Sequence, residues 1–98
     1  MVKEINRDSF KKEVLDSSEV VLVDFYANWC GPCKMLSPIM ESISNSVKVC
    51  KVNVDDEDEL ASEYGISSIP CVIAFKDGKE INRSIGLKQK DEILKMVG

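Results

Sequence analysis

The sequence contains no histidine, and this absence excludes several kinds of chemistry. A Cys–His or Ser–His–Asp nucleophile system cannot be built, and no metal ion can be bound through an imidazole. Proton transfer near neutral pH must therefore use a carboxylate or a thiol whose pKa is shifted by its surroundings.

Long apolar segments and an excess of positive charge are also missing. No run approaches the roughly 20 apolar residues of a membrane-spanning helix, and residues 1–6 lack the apolar segment of a secretory signal. The 13 Lys and Arg residues are outnumbered by 17 Asp and Glu residues, which gives a net charge of −4. Because non-specific nucleic-acid binding needs clustered positive charge, we expect the protein not to bind nucleic acid. Because an apolar span and an apolar signal segment are missing, we expect a soluble, cytoplasmic protein that does not bind a membrane.

What is present indicates one folded unit. The chain has 98 residues, of which 44% are apolar and 31% are charged, a balance typical of a globular protein rather than a disordered one. Since this is the length of one small domain, we predict a single domain over residues 1–98. Its small size and acidity lead us to expect a monomer.

The apolar pattern predicts strands and helices in the order βαβαβαββα. Five segments have the composition of strands, namely residues 2–5, 20–26, 47–54, 71–75 and 79–85. Four segments predict helices: one capped by Asp8 or Ser9, one from about Pro32 to Ser46, one between the acidic residues 55–59 and Gly65, and one through Ile93, Leu94 and Val97. With a hairpin turn at Asp77-Gly78, these elements predict a mixed sheet with helices on both faces.

The strongest chemical signal is a Cys-x-x-Cys motif at the junction between a buried strand and a helix. It comprises Cys30, Gly31, Pro32 and Cys33. The first cysteine is expected at the helix N-terminus, where unpaired N–H groups and the helix dipole favour a thiolate. Such a setting indicates a redox motif. The alternative is half of a metal site, but a second close cysteine pair is missing, since Cys50 and Cys71 lie 21 residues apart.

Asp24 is the one charged residue in the apolar segment 20–26, six positions before Cys30. Two interpretations of this residue are open. Its side chain could reach solvent at the end of the strand, because aspartate is rarely buried in full. Alternatively, burial could raise its pKa, so that it accepts the Cys33 proton during disulfide exchange.

Several segments in a fixed order carry a family resemblance. They are residues 23–35, 51–55, 64–66, 69–70 and 75–78, and Gly86. On these segments the chain resembles the thioredoxin family over essentially its full length. The resemblance implies the thioredoxin fold, an α/β architecture with a mixed central sheet of about five strands flanked by about four helices.

The resemblance also implies a function, the reduction of disulfides in target proteins. Cys30 would attack the target disulfide, and Cys33 would resolve the mixed disulfide to leave Cys30 and Cys33 oxidised. The family pattern gives Asp24 the proton-accepting role and places Lys51 near it. A separate thioredoxin reductase would restore the dithiol with electrons from NADPH, or from ferredoxin. We expect no bound cofactor or metal, because no cofactor-binding motif is present.

The same resemblance implies a surface for target proteins. Its residues would flank the motif or face it across a loop with a cis proline; they are Trp29, Gly31, Pro32, Ile69, Pro70 and Gly86. The backbone around Ile69 would pair with an extended target segment.

Cys71 departs from the family pattern, because thioredoxins generally carry threonine at this position. We expect Cys71 to lie close to the redox pair, either as a small buried apolar residue or as a third thiol open to oxidation. Cys50 is expected to be inert in the core. Two other functions stay open: a disulfide oxidant or isomerase on the same fold, and a binding module. The latter would be a noncatalytic subunit, or a carrier that holds a metal through Cys30, Cys33 and Cys71.

Overall fold

The computed structural model describes residues 1–97 and contains a five-stranded mixed sheet. The strands are Lys3–Glu4 (β1), Val21–Tyr26 (β2), Lys48–Asn53 (β3), Cys71–Lys76 (β4) and Lys79–Ile85 (β5). Their spatial order is β1-β3-β2-β4-β5, in which β1, β3 and β2 are parallel, β4 is antiparallel to β2 and β5 is antiparallel to β4. The continuous apolar run of β2 is explained by its central position, which is buried on both faces.

Three helices connect strands and a fourth follows β5, and the predicted element order is confirmed. They are Arg7–Phe10 (α1), which continues as a π-helical segment Lys11–Leu15, then Gly31–Ile43 (α2), Asp58–Glu63 (α3) and Lys90–Leu94 (α4). At the β4–β5 turn, Asp77 and Gly78 have φ angles of 52° and 79°, as the hairpin prediction requires. Within residues 1–97, no helix has the length and apolar character needed to cross a membrane.

The predicted cap of the first helix was wrong. Asn6, rather than Asp8 or Ser9, is the N-cap, and its side chain accepts a hydrogen bond from the backbone N of Ser9 at 2.9 Å. The Ser9 hydroxyl in turn accepts from the backbone N of Asn6 at 3.1 Å. Ser9 is therefore the reciprocal partner of a capping box rather than the cap itself.

The sheet carries a core on each face, and alternate residues of β2 point to opposite faces. On one face Phe25 packs with Phe10 of α1 and Leu60 of α3. On the other face Leu22 packs against apolar side chains of α2 and α4. By the same alternation, Asp24 points to the face that is covered by α2. The cysteine motif lies at the N-terminus of this helix.

Candidate active site

The two motif cysteines lie at the first turn of α2 and form a disulfide with a Cα–Cα distance of 5.2 Å. Cys30 is the N-cap, in an extended conformation, and its Sγ accepts a hydrogen bond from the backbone N of Cys33 at 3.2 Å. Pro32 occupies the first helical turn, where its missing N–H leaves no hydrogen bond unmade. The redox motif is therefore placed as the sequence predicted.

Cys30 faces the loop that precedes β4. Its Sγ lies 3.9 Å from the carbonyl oxygen of Ile69, and the Ile69–Pro70 peptide bond is cis, as expected. The backbone N of Gly86 donates to the carbonyl oxygen of Pro70 at 2.8 Å, which fixes the end of β5 beside this loop. Gly86 has a φ angle of 90°, a conformation that residues with a side chain rarely adopt.

Trp29 is an exposed residue rather than a core aromatic. Its side chain is 71% exposed, and its ring nitrogen donates to Asp55 Oδ2 at 2.8 Å. Asp55 is itself held by a hydrogen bond from its backbone N to the side chain of Asn53, at 2.9 Å. Asp55 was not singled out from the sequence, because it lies in an acidic run in which nothing distinguishes one carboxylate from the next.

Asp24 is buried, with only 5% of its surface exposed, which excludes the solvent-facing interpretation. Burial raises the pKa of its carboxyl to about 7, while the positive charge of Lys51 acts in the opposite direction. Within residues 1–97 its Oδ1 atom is buried without a hydrogen-bond partner. A carboxyl group with these properties changes its charge near neutral pH, as a proton acceptor must.

Lys51 occupies the position next to Asp24 on the neighbouring strand, because the two residues are register partners of β3 and β2. Lys51 also lines a small cavity of about 180 Å³ that reaches the second cysteine. The residues around this cavity are Tyr26, Asn28, Cys33, Lys34, Ser37 and Lys51. Cys33 and Lys51 thus line one cavity, and Asp24 is the strand-register partner of Lys51.

The other two cysteines are buried in the apolar core of the sheet. Cys50 and Cys71 are unbonded, 0% and 1% exposed, and both belong to the core cluster on the sheet face opposite α2. Burial raises the pKa of both thiols, which disfavours their reactive form. The proposed metal carrier required Cys71 beside the motif, whereas no three His, Cys, Asp or Glu side chains in the described chain are placed to hold a metal ion.

A disulfide at the start of a helix, beside a cis proline and on a sheet of this topology, defines a thiol–disulfide oxidoreductase. Comparison with known proteins supports this class, since the thioredoxin family model matches residues 1–98. A thioredoxin of Chlamydia caviae is 47% identical over 100 residues, covering 99% of this chain and 96% of that protein.

Other relatives agree with that match. A thioredoxin of Rickettsia felis is 51% identical over 98 residues, covering 96% of this chain and 93% of that protein. The solved structure of a mutant thioredoxin from Halobacterium salinarum superposes with a TM-score of 0.91 at 34% identity, covering 98% of this chain and 87% of that one. The chain therefore belongs to the thioredoxin family.

Proposed function

We propose that this chain reduces disulfides in target proteins through a mixed disulfide on Cys30. The Cys30 thiolate attacks one target sulfur, and the other target sulfur leaves as a thiolate. Cys33 then loses its proton and attacks Cys30 Sγ, which forms the Cys30–Cys33 disulfide and releases the second target sulfur. Two electrons thereby pass from the dithiol to the target, and a separate thioredoxin reductase returns them.

The observation that carries this proposal is the hydrogen bond from the backbone N of Cys33 to Cys30 Sγ, at 3.2 Å. This N–H and the N-terminus of α2 stabilise negative charge on Cys30 sulfur, both in the attacking thiolate and when Cys30 leaves a mixed disulfide. Cys33 lies one turn into the helix, so its sulfur is not at the helix N-terminus as the Cys30 sulfur is. The two cysteines therefore have different roles, with Cys30 as nucleophile and Cys33 as the resolving thiol.

Asp24 serves as the acceptor of the Cys33 proton. Cys33 opens onto the cavity that Lys51 also lines, and Lys51 is the register partner of Asp24. A carboxyl group with a pKa of about 7 can take up a proton when the mixed disulfide resolves and release it afterwards near neutral pH. Lys51 contributes positive charge to the same region.

Targets bind across the surface around the disulfide. Trp29, Gly31 and Pro32 are exposed on one side of Cys30, whereas Ile69, Pro70 and Gly86 form the other side. An extended target segment that pairs with the backbone at Ile69 would pass directly over Cys30, since the Ile69 carbonyl lies 3.9 Å from its sulfur.

We further propose that the chain acts as a cytoplasmic monomer without a cofactor of its own. Electrons from NADPH, or from ferredoxin, would reach it only through the reductase. A coupled assay with each type of reductase tests which electron donor serves the chain. Oxidation of NADPH at a rate proportional to the chain's concentration supports the NADPH-linked partner.

A trapping experiment tests the assignment of the two cysteines. The Cys33→Ser variant should accumulate a mixed disulfide with a disulfide-containing protein such as insulin, since the resolving thiol is missing. The Cys30→Ser variant is the matched control and should trap nothing. Accumulation of the adduct on Cys33 in that control, observed by peptide mass mapping, would reverse the assigned roles.

The proton-accepting role of Asp24 has its own test. The wild-type rate of disulfide reduction should change with pH around 7, because Asp24 must be ionised to accept the proton. Asp24→Asn should lose this dependence and should lower the rate at pH 7 by about 10-fold or more. An unchanged pH profile would contradict the role.

A further inference from the structure

A row of three charged side chains crosses three neighbouring parallel strands below the active site. Lys51 of β3 is the register partner of Glu4 in β1 on one side and of Asp24 in β2 on the other. One ammonium group thus lies between a half-exposed carboxylate and a buried one. The two carboxylates compete for the same positive charge.

The structure places the Lys51 ammonium on the Glu4 side of this row. Its Nζ lies 4.0 Å from Glu4 Oε1 and 5.3 Å from the centre of the Tyr26 ring. No ion pair within 4 Å joins Lys51 to Asp24 in the described chain. Lys51 therefore acts on Asp24 through charge at a distance rather than through direct contact.

Tyr26 contacts both Glu4 and Lys51. Its hydroxyl donates a hydrogen bond to Glu4 Oε2, while its ring supports the Lys51 ammonium. Burial and the neighbouring Glu4 carboxylate raise the pKa of Tyr26, so that it remains a hydrogen-bond donor throughout the physiological pH range. Glu4 is thus oriented toward Lys51 by a partner that does not titrate.

We propose that Glu4 and Tyr26 are positioning residues that hold the Lys51 ammonium away from Asp24, so that the Asp24 carboxylate keeps a high affinity for a proton. This inference rests on the proposed role of Asp24 in disulfide exchange. If Lys51 were released from Glu4, its nearest alternative partner would be the Asp24 carboxylate. The ammonium would then stabilise the ionised form of Asp24 and weaken its affinity for a proton.

The groups that carry or can carry charge around Asp24 come from each neighbouring element. They are Lys51 on β3, Cys33 and Lys34 on α2, Cys71 on β4 and, beyond Lys51, Glu4 on β1. Within residues 1–97, the one charge that opposes the effect of burial on the pKa of Asp24 is that of Lys51, and it does so only in part. The position of the Lys51 ammonium is therefore the variable that Glu4 controls.

The test is a direct titration of the Asp24 carboxyl in the reduced protein by carbon-13 NMR. Glu4→Gln should move its midpoint to lower pH by about half a unit or more, because Lys51 approaches Asp24. Tyr26→Phe, which keeps the ring and removes the hydroxyl, should move it in the same direction by less. Glu92→Gln makes the same charge change on α4 and should leave the midpoint in place.

A double variant separates positioning from the direct effect of the Glu4 charge. In a Lys51→Met background, Glu4→Gln should no longer shift the Asp24 midpoint. An equal shift in that background, or a shift to higher pH in Glu4→Gln alone, would overturn the proposal. If the midpoint falls as expected while the pH profile of disulfide reduction does not follow it, the positioning stands and the proton-accepting role of Asp24 fails.

Discussion

The four cysteines form two pairs that are equally buried and chemically different. Cys30 and Cys33 are 5% and 4% exposed, and Cys50 and Cys71 are 0% and 1% exposed. Exposure therefore does not separate the reactive thiols from the inert ones. The difference lies in what surrounds each sulfur.

Cys30 sulfur receives a backbone N–H at a helix N-terminus, which favours its negative form. Cys50 and Cys71 lie in an apolar core in the middle of the sheet, where burial raises the pKa of both thiols. The same side chain is thus a nucleophile in one place and a small apolar residue in the other. The reactivity of a cysteine depends on nearby donors and dipoles more than on its depth.

The largest effect should come from removing the nucleophile. Cys30→Ser should lower the rate of insulin reduction by more than about 10³-fold, since no other thiol in the chain has its surroundings. Cys71→Ala is the matched control and should retain the rate within about twofold, although it costs about 1–2 kcal/mol of stability through a small cavity. Loss of activity in the control would show that Cys71 takes part in the reaction.

The next largest effect concerns the free energy of unfolding, which the buried Asp24 carboxyl makes dependent on pH. Because its folded-state pKa of about 7 lies above the ordinary value of 3.8, Asp24 lowers the free energy of unfolding progressively as the pH rises from about 4 to 7. Asp24→Asn should therefore match the wild type near pH 4 and exceed it by on the order of 4 kcal/mol at pH 8. Denaturant unfolding of both proteins at the two pH values measures this difference. An equal difference between variant and wild type at pH 4 and pH 8 would contradict the prediction.

Alkylation compares the two pairs of thiols directly. In the reduced native protein, iodoacetamide should modify Cys30 at least about 100 times faster than Cys50 or Cys71, because only Cys30 of these three receives a backbone N–H at a helix N-terminus. Peptide mass mapping over time gives each rate. In a denaturant the four rates should converge, whereas fast native modification of Cys71 would mean that its core position opens readily.

The smallest effect concerns the anchor of Trp29. Asp55→Ala removes the acceptor of the ring nitrogen and should raise the KM for target proteins by roughly two- to fivefold, with kcat little changed. Trp29 fluorescence should change at the same time. Asp56→Ala removes a neighbouring carboxylate and is the control, so equal effects in both variants would point to net charge rather than to the hydrogen bond.

The fold and the redox pair could be predicted because their signals are local. A continuous apolar run predicts a central strand, and Cys-x-x-Cys at its junction with a helix predicts the position of Cys30 at the helix N-terminus. The cap of the first helix was missed because Asn6, Asp8 and Ser9 are all good capping types, and only the three-dimensional turn decides among them.

Other parts of the site depend on register and packing, which a sequence does not display. Whether Asp24 is buried depends on how α2 lies over the sheet, and the contacts among Glu4, Tyr26 and Lys51 depend on which residues face each other across three strands. Cys71 was expected either as a small buried apolar residue or as a third thiol open to oxidation. Its place in the apolar core, 1% exposed, favours the first of these, and only the alternation of β4 decides which face its side chain joins.

If Cys30 and Cys33 form a reducing dithiol, their disulfide has a low reduction potential. This potential can be measured by equilibrating the pair in defined thiol buffers and following Trp29 fluorescence. We expect a value below about −250 mV, the region in which thioredoxins lie. A value near or above about −180 mV, typical of disulfide oxidants and isomerases, would contradict it.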